Sequence, residues 1–304
     1  MIVARARPRR SGGLTDPKLA FWLVVPAGIL LAVLQFYPLL HAVRDSFFTT
    51  NLLTSKQTWA GLTNFAAVFS SPDVREALVR TLVYIVACIA IQAVMGVVTA
   101  LLLDADLWGR TIARGLNLLP YMIPAIVTAI AFRVTFNDLF GIVNYVLLAA
   151  HLVREPVPFF SDPRTIMFTV VIVSCWKYTP FMVLALLARL QTLPRDLIEA
   201  ATIDGAGPVR IFTAVTLPWI LPVLLVTMLL RSIWMGTEFD TPYLIAYGGP
   251  LHASTLVSMQ IRSLYVDQLQ VGQASALAVG VAILLAIASI VYFRRYAAAE
   301  QMGA

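Results

Sequence analysis

The chain has 304 residues, of which 60% are hydrophobic and only 12% charged, and its formal net charge is +6. A soluble protein carries about 25% charged residues, so this balance, with a mean hydropathy of +0.83, excludes an ordinary soluble domain and defines an integral membrane protein. Six runs (20–43, 81–103, 115–136, 166–188, 212–235 and 271–293) reach the length of about 20 residues that crosses a bilayer core as a helix, and this all-α polytopic pattern excludes a β-barrel, whose strands alternate over short segments.

In chain order, residues 1–19 form a tail with Arg5, Arg7, Arg9, Arg10 and Lys18. The apolar run after it exceeds the 7–15 residues of a typical signal-peptide core, so it reads as a retained first helix, 20–46. An outer segment, 47–80, contains Gly61-Leu62-Thr63-Asn64-Phe65 and Ser70-Ser71-Pro72-Asp73, turn chemistry around a short structured insert. The rest, 81–295, holds five further spans, and 296–304 is a second tail.

In the second span Gln92, Gly96, Thr99 and Ala100 form a small, polar stripe suited to close helix packing. Pro120 and Pro124 predict a kink in the third. The fourth carries Ser174, Lys177, Tyr178 and Phe181 on one helical face, and the fifth with its extension carries Arg231, Met235 and Glu238 on another. An ionised side chain inside a span costs about 2.5–3.5 kcal/mol on insertion scales, so Lys177 faces protein or water rather than lipid. Two polar faces on successive spans predict a central cavity; a buried ion pair that locks the helices together is the other reading.

Between the fourth and fifth spans lies a polar segment, 190–218. Pro194 suits a helix start, Asp196 and Glu199 put negative charge near its positive end, and Asp204-Gly205 is turn chemistry. Gly207-Pro208 then starts a second helical arm, giving an elbow with Leu197, Ala200 and Ala201 on one side. A generic interhelical loop matches some of these positions, but the spacing and the closing Leu217-Pro218 are more demanding.

Lysine and arginine placement orients the chain. With the first tail in the cytoplasm, the inner side holds Arg5, Arg7, Arg9, Arg10, Lys18, Arg110, Arg114, Arg189, Arg195, Arg210, Arg294 and Arg295, whereas the longer outer segments hold Arg44, Lys56, Arg75, Arg80, Arg154, Arg164 and Arg262. Both termini and the elbow then face the cytoplasm, and the positive charge is explained without nucleic acid. Cys88 and Cys175 read as packing residues, and His41, His151 and His252 are too scattered for a metal centre. None of Lys18, Lys56 and Lys177 sits in a phosphate-binding loop, so no ATPase site is expected here. Asp104 with Asp106, the nearest approach to the paired acids of a membrane enzyme, reads as a helix end.

Glu199-Ala200-Ala201, followed by Gly205, Val215, Leu217 and Pro218, resembles the EAA loop of binding-protein-dependent ATP-binding cassette (ABC) importer permeases. Tyr37-Pro38, Gly61 to Phe65, Leu119-Pro120-Tyr121-Met122-Ile123-Pro124, Gly141-Ile142-Val143-Asn144, Trp176 to Phe181, Leu190 to Pro194, and Gly248-Gly249-Pro250 with Thr255 resemble the sugar-type branch of that family. Phe132 and Val134, where many relatives carry Trp, and Arg80, where Asn is common, depart from it.

The resemblance implies a type I importer permease fold and a bacterial or archaeal inner-membrane location. It implies as partners a second homologous permease, two ATPase subunits and an extracytoplasmic solute-binding protein, with a carbohydrate or glycerol-phosphate-type solute as cargo. ATP and Mg belong to the ATPases, and this chain carries no cofactor. Glu199, Ala200, Ala201, Asp204 and Gly205 are then the ATPase-coupling residues, and Ser174, Lys177, Tyr178, Phe181, Arg231, Met235 and Glu238 the substrate-cavity candidates. A non-sugar solute is the alternative within the family. A secondary transporter, which predicts an internal repeat or paired broken helices, is the alternative outside it.

Overall fold

A computed structural model describes residues 17–51 and 56–302. The tail arginines Arg5, Arg7, Arg9 and Arg10 lie outside the described residues, as do the side chains of Lys18 and Arg295. Helix α1 (Pro17–Ser46) leads into an antiparallel hairpin, β1 (Phe48–Asn51) with β2 (Lys56–Trp59), in which Phe48 faces Trp59. This hairpin is a small departure from an all-α chain. Trp59 packs against both Phe47 and Phe48, and the Asn64 amide holds the turn by donating to the carbonyls of Ser46 and Phe48.

Short α2 (Thr63–Ser70) precedes α3 (Pro72–Asp104), which starts nine residues before the expected second span. Pro72 at its first position and Asp73 in its first turn explain the early start: the ring presets the helical angle and the carboxylate faces the positive helix end. Then follow α4 (Arg110–Met122), α5 (Ala125–Thr135), α6 (Ile142–Ala149), α7 (Ile166–Leu190), α8 (Arg195–Ile203) and α9 (Pro208–Ile211). A π-helical turn, Phe212–Thr216, joins α9 to α10 (Leu217–Thr237). Short α11 (Asp240–Ala246) and α12 (Val257–Arg262) fill the stretch before α13 (Val271–Met302), which runs on through most of the expected second tail.

Among the described residues five helices have the length and apolarity of a span, and α4 with α5 reach them only as a pair, bent by 97° at the break between them. The expectation there was a kinked helix, and the structure breaks it outright. Pro124 has no N–H to return to Pro120, and Ile123 is extended, so the chain turns and α5 starts again from Pro124. Helix α7 is central: 67% of its apolar window is buried, against none in α1. Lipid tails are as apolar as leucine, so such helices associate through close fit rather than through a hydrophobic drive. Gly96 of α3 provides that fit, because a methyl group there would sit 3.0 Å from Met182 Cγ of α7. Gln92, Gly96 and Ala100 of the small stripe are buried at this contact, while Thr99 is only half-buried. Cys88 and Cys175 are unpaired and buried in the same α3–α7 interface.

Candidate functional site

Two regions bring together the residues singled out in the sequence. At one end of the bundle, where α3 and α7 finish and α4 begins, the elbow projects. Pro194 stands one place before α8 as its cap, rather than in the first turn. Asp204 ends the helix, and Gly205 reverses the chain at φ +79°, a left-handed angle that side chains oppose. Its N–H donates to the Thr202 carbonyl, and the next, that of Ala206, donates to the Ala201 carbonyl. Gly207 is extended and Pro208 starts the second arm.

No residue of α8 or α9 is buried. Glu199, Ala200, Asp204 and Gly205 are exposed and Ala201 is half-buried. Apolar side chains are bare as well: Leu197, Ile198, Ile203 (87%) and Val209 (77%). In the crook of the arms a cavity of about 390 Å³ is lined by Ala201, Asp204, Ala206, Arg210 and Ala214. The base of the elbow is clasped. Arg189 Nε donates to the Trp219 carbonyl at 3.0 Å, Trp219 Nε1 donates back to the Arg189 carbonyl at 3.2 Å, and the guanidinium lies 4.2 Å from the indole. Arg114 ties the start of α4 to the end of α3 through two bonds to the Leu103 carbonyl.

The second region lies inside the bundle, where α3, α7, α10 and the α4–α5 break meet. Lys177 is buried, and its ammonium donates to the Ile123 carbonyl at the break. The helix ending there leaves carbonyls without intrahelical donors, and a cation suits its negative end. Tyr178 donates its hydroxyl to Glu238 Oε1 at 2.8 Å and lies 3.0 Å from the Thr241 hydroxyl. Arg231 is 2% exposed and donates from Nε to Gln92 Oε1 at 3.2 Å. Its guanidinium carbon sits 4.5 Å from the Tyr178 ring centre and 5.6 Å from that of Trp234. Tyr121, Tyr178, Phe181 and Trp234 form a connected aromatic array with centroid separations of 5.0–6.4 Å.

The structure thus gathers Lys177, Tyr178, Phe181, Arg231 and Glu238. It turns the other two candidates inward: Ser174 is fully buried and accepts the Tyr84 hydroxyl at 2.8 Å, and Met235 is fully buried in the α3–α7 core. Both lie on the face of their helix that meets α3, which spacing along one helix does not distinguish from a cavity face. Among the described residues no ion pair within 4.0 Å joins Lys177 or Arg231 to Glu238. The locking pair is therefore absent from this state. Sequence reasoning missed Tyr121 and Trp234, although Trp234 follows Arg231 by three residues and so shares its face. It placed Gln92 in a packing stripe and did not see it as the partner of Arg231.

At the far end of the bundle a cavity of about 580 Å³ is lined by Arg133, Asn137, Asp138, Phe160, Tyr247 and Gly249. Asn144 braces its wall, donating to the Asp138 and Val157 carbonyls and accepting from the Val157 N–H.

A bundle with one broken span, a projecting elbow and an interior aromatic-polar cluster is the architecture of a transport permease. Residues 92–300 match the family of binding-protein-dependent transport system inner membrane components, and the chain belongs to that family. It is 31% identical over 279 residues to the trehalose/maltose transport system permease protein MalF of Thermococcus litoralis, covering 92% of this chain and 94% of that one. With the sulfoquinovosyl glycerol transport system permease protein SmoG of Agrobacterium fabrum it shares 34% identity over 282 residues, 92% and 91% of the two chains. The trehalose transport system permease protein SugA of Mycobacterium tuberculosis is 30% identical, with 97% and 94% covered. Among solved structures, a bacterial ABC transporter involved in the import of the acidic polysaccharide alginate superposes with a TM-score of 0.80 over 92% of this chain and 95% of that one. At 21% identity this likeness concerns the fold.

Proposed function

We propose that this chain is the transmembrane subunit of an ATP-driven importer that moves a carbohydrate, handed over by an extracytoplasmic binding protein, across the inner membrane. The observation that carries the reading is the elbow: two helical arms with bare leucine, isoleucine and valine side chains and no buried residue. An exposed apolar surface on a projecting element needs a protein to cover it. The ATPase is that protein, with Glu199, Ala200, Ala201, Asp204 and Gly205 as the docking residues, and ATP and Mg are bound on the ATPase rather than here. The named relatives transport trehalose, maltose or sulfoquinovosyl glycerol, which supports carbohydrate as the cargo. An aromatic array beside a few polar groups suits a sugar ring, whose C–H face stacks while its hydroxyls are bonded.

The elbow end is cytoplasmic in this reading, in keeping with Arg110, Arg114, Arg189, Arg195 and Arg210 clustering there. A second permease completes the pathway opposite Tyr178, Phe181 and Trp234. A secondary transporter would pair its broken helices; among the described residues one span is broken. Mild detergent extraction followed by affinity capture of this chain tests the proposal. Recovery of two ATPase copies and a second permease, with binding-protein-dependent sugar uptake once reconstituted, is the expected result. Sugar uptake by this chain alone in liposomes would refute it.

A further inference from the structure

Arginines that serve only to hold this fold find acceptors. Arg114 gives two hydrogen bonds to one carbonyl, and Arg189 bonds the Trp219 carbonyl. Arg231 behaves differently. It is 2% exposed, its Nε is bonded to Gln92 Oε1, and its Nη2 has no acceptor. The fully buried amide nitrogen of Gln92 has no well-aligned acceptor either, with only the weakly accepting Cys175 sulfur beside it. Because Gln92 Oε1 already accepts from Arg231, the joined pair offers two orphaned donors against one remaining lone pair, an excess of donors. Unmade hydrogen bonds of buried charged groups are costly, more so than the 1–3 kcal/mol or so of neutral ones, and a built arrangement of this kind implies something that satisfies it.

The chemistry of the missing acceptor follows. A sugar hydroxyl both donates and accepts, and a site made for hydroxyls mixes the two roles. An ionised acid only accepts, and a planar guanidinium fork matches a carboxylate, sulfonate or phosphate through two parallel bonds. Charge points the same way. Lys177 and Arg231 contribute two cations, and the Lys177 ammonium rests on a neutral carbonyl. Glu238, the carboxylate in the cluster, is engaged by Tyr178 and by the Thr241 N–H. One added negative charge balances the group. The aromatic array supplies the rest of the seat: Trp234 is 40% exposed, Tyr178 and Phe181 are half-buried, and the Tyr178 and Trp234 rings lie beside the guanidinium.

We propose that the Arg231–Gln92 pair receives the acidic group of the transported sugar, so that the substrate class is anionic carbohydrate. This rests on the importer reading above. In the present state Tyr178 and Trp234 cover the guanidinium, so the acid reaches it when the cluster opens during the transport cycle.

The test uses the whole importer with its binding protein in proteoliposomes, and compares uptake of trehalose with that of a glucuronate-containing disaccharide of similar size. The wild type is expected to favour the acidic sugar at least tenfold. Arg231→Gln should lower the acidic-to-neutral uptake ratio at least tenfold, and Arg231→Lys, which keeps the charge, should restore much of it. Wild-type uptake confined to trehalose overturns the proposal and leaves the importer reading intact. An unchanged ratio in Arg231→Gln, or equal loss of both sugars with a lower melting temperature, also overturns it by making the guanidinium a purely structural group. Uptake of a non-sugar carboxylate in place of either sugar, abolished by Arg231→Gln, would sink the carbohydrate reading and sustain the anion seat.

Discussion

Replacing Lys177 by methionine separates a mechanical role for this ammonium from a stabilising one. The substitution removes a charge-assisted hydrogen bond to the Ile123 carbonyl, worth about 1.5–3 kcal/mol. It also removes a cation–π contact with Tyr178 at 5.6 Å, worth about 0.5–1 kcal/mol. Against these stands relief of the about 2.5–3.5 kcal/mol that an ionised side chain costs inside a span. The two sides nearly cancel, so the assembled complex should melt within a few degrees of wild type. Geometry does not cancel. Ile123 lies at the 97° bend between α4 and α5, and Lys177 ties its carbonyl to central α7 by the hydrogen bond there. Transport should fall about tenfold or more in Lys177→Met, and Lys177→Arg, able to reach the same carbonyl, should retain most of it. The assay is binding-protein-dependent uptake by the reconstituted importer, beside thermal melting of the same preparation. Wild-type transport at unchanged stability would refute the mechanical role. A stability loss of about 3–5 kcal/mol would instead make Lys177 one half of a buried pair whose other half is left uncompensated.

Gly205→Val places a β-branched residue at φ +79°, which should cost about 1–2 kcal/mol locally and reduce recovery of the ATPase with the permease while membrane insertion is unchanged. Glu199→Lys should give the same loss of recovery, from an exposed position in α8 whose change disturbs no core contact; full recovery and normal uptake in both variants would overturn the docking role. Arg189→Met opens the clasp at the elbow's base, losing a charged bond of about 1.5–3 kcal/mol. Its complex should hydrolyse ATP with a weakened response to the binding protein, and an unchanged response would show that the clasp transmits nothing. Asn144→Ala strands the Asp138 carbonyl and the Val157 N–H beside the far cavity, each at about 1–3 kcal/mol, while the Val157 carbonyl keeps the Phe159 N–H. A melting temperature equal to wild type would contradict that bracing.

How far the sequence reached depended on whether a feature is local. Proline and glycine placement fixes the elbow within two dozen residues: Pro194 caps one arm, Gly205 turns the chain and Pro208 starts the other. Hydropathy finds the spans for the same reason, since a helix in lipid satisfies its own backbone and its apolar length is written in one run. The hairpin at 48–59 was not read, because its pairing is held from outside by Asn64 donating to the Phe48 carbonyl. The α4–α5 corner was read too gently. Two prolines signal an interruption, but the contact made at the 97° corner, Lys177 donating to the Ile123 carbonyl, joins residues fifty-four positions apart and is not written in the local sequence.

The interior cluster shows where periodicity along one helix stops being informative. Helical spacing put Ser174, Lys177, Tyr178 and Phe181 on a common side, and all four do lie within about one hundred degrees of one another around α7 at 3.6 residues per turn. That face is also about two turns long, which is long enough to meet two environments. Its Ser174 end meets Tyr84 of α3 and is sealed, and its Phe181 end meets Trp234 and is half-open. In α10 the division runs around the helix instead: Met235 enters the core while Trp234, one residue before it, stays 40% exposed. Which part of a polar face lines a pathway is decided by the helix packed against it, and that helix is distant in sequence. Gln92 and Arg231, separated by 139 positions, illustrate the point. Neither residue alone specifies a ligand, and it is only their contact, which occupies part of the one acceptor between them, that turns a packing stripe and a buried cation into an excess of donors, the basis on which an anionic ligand is proposed.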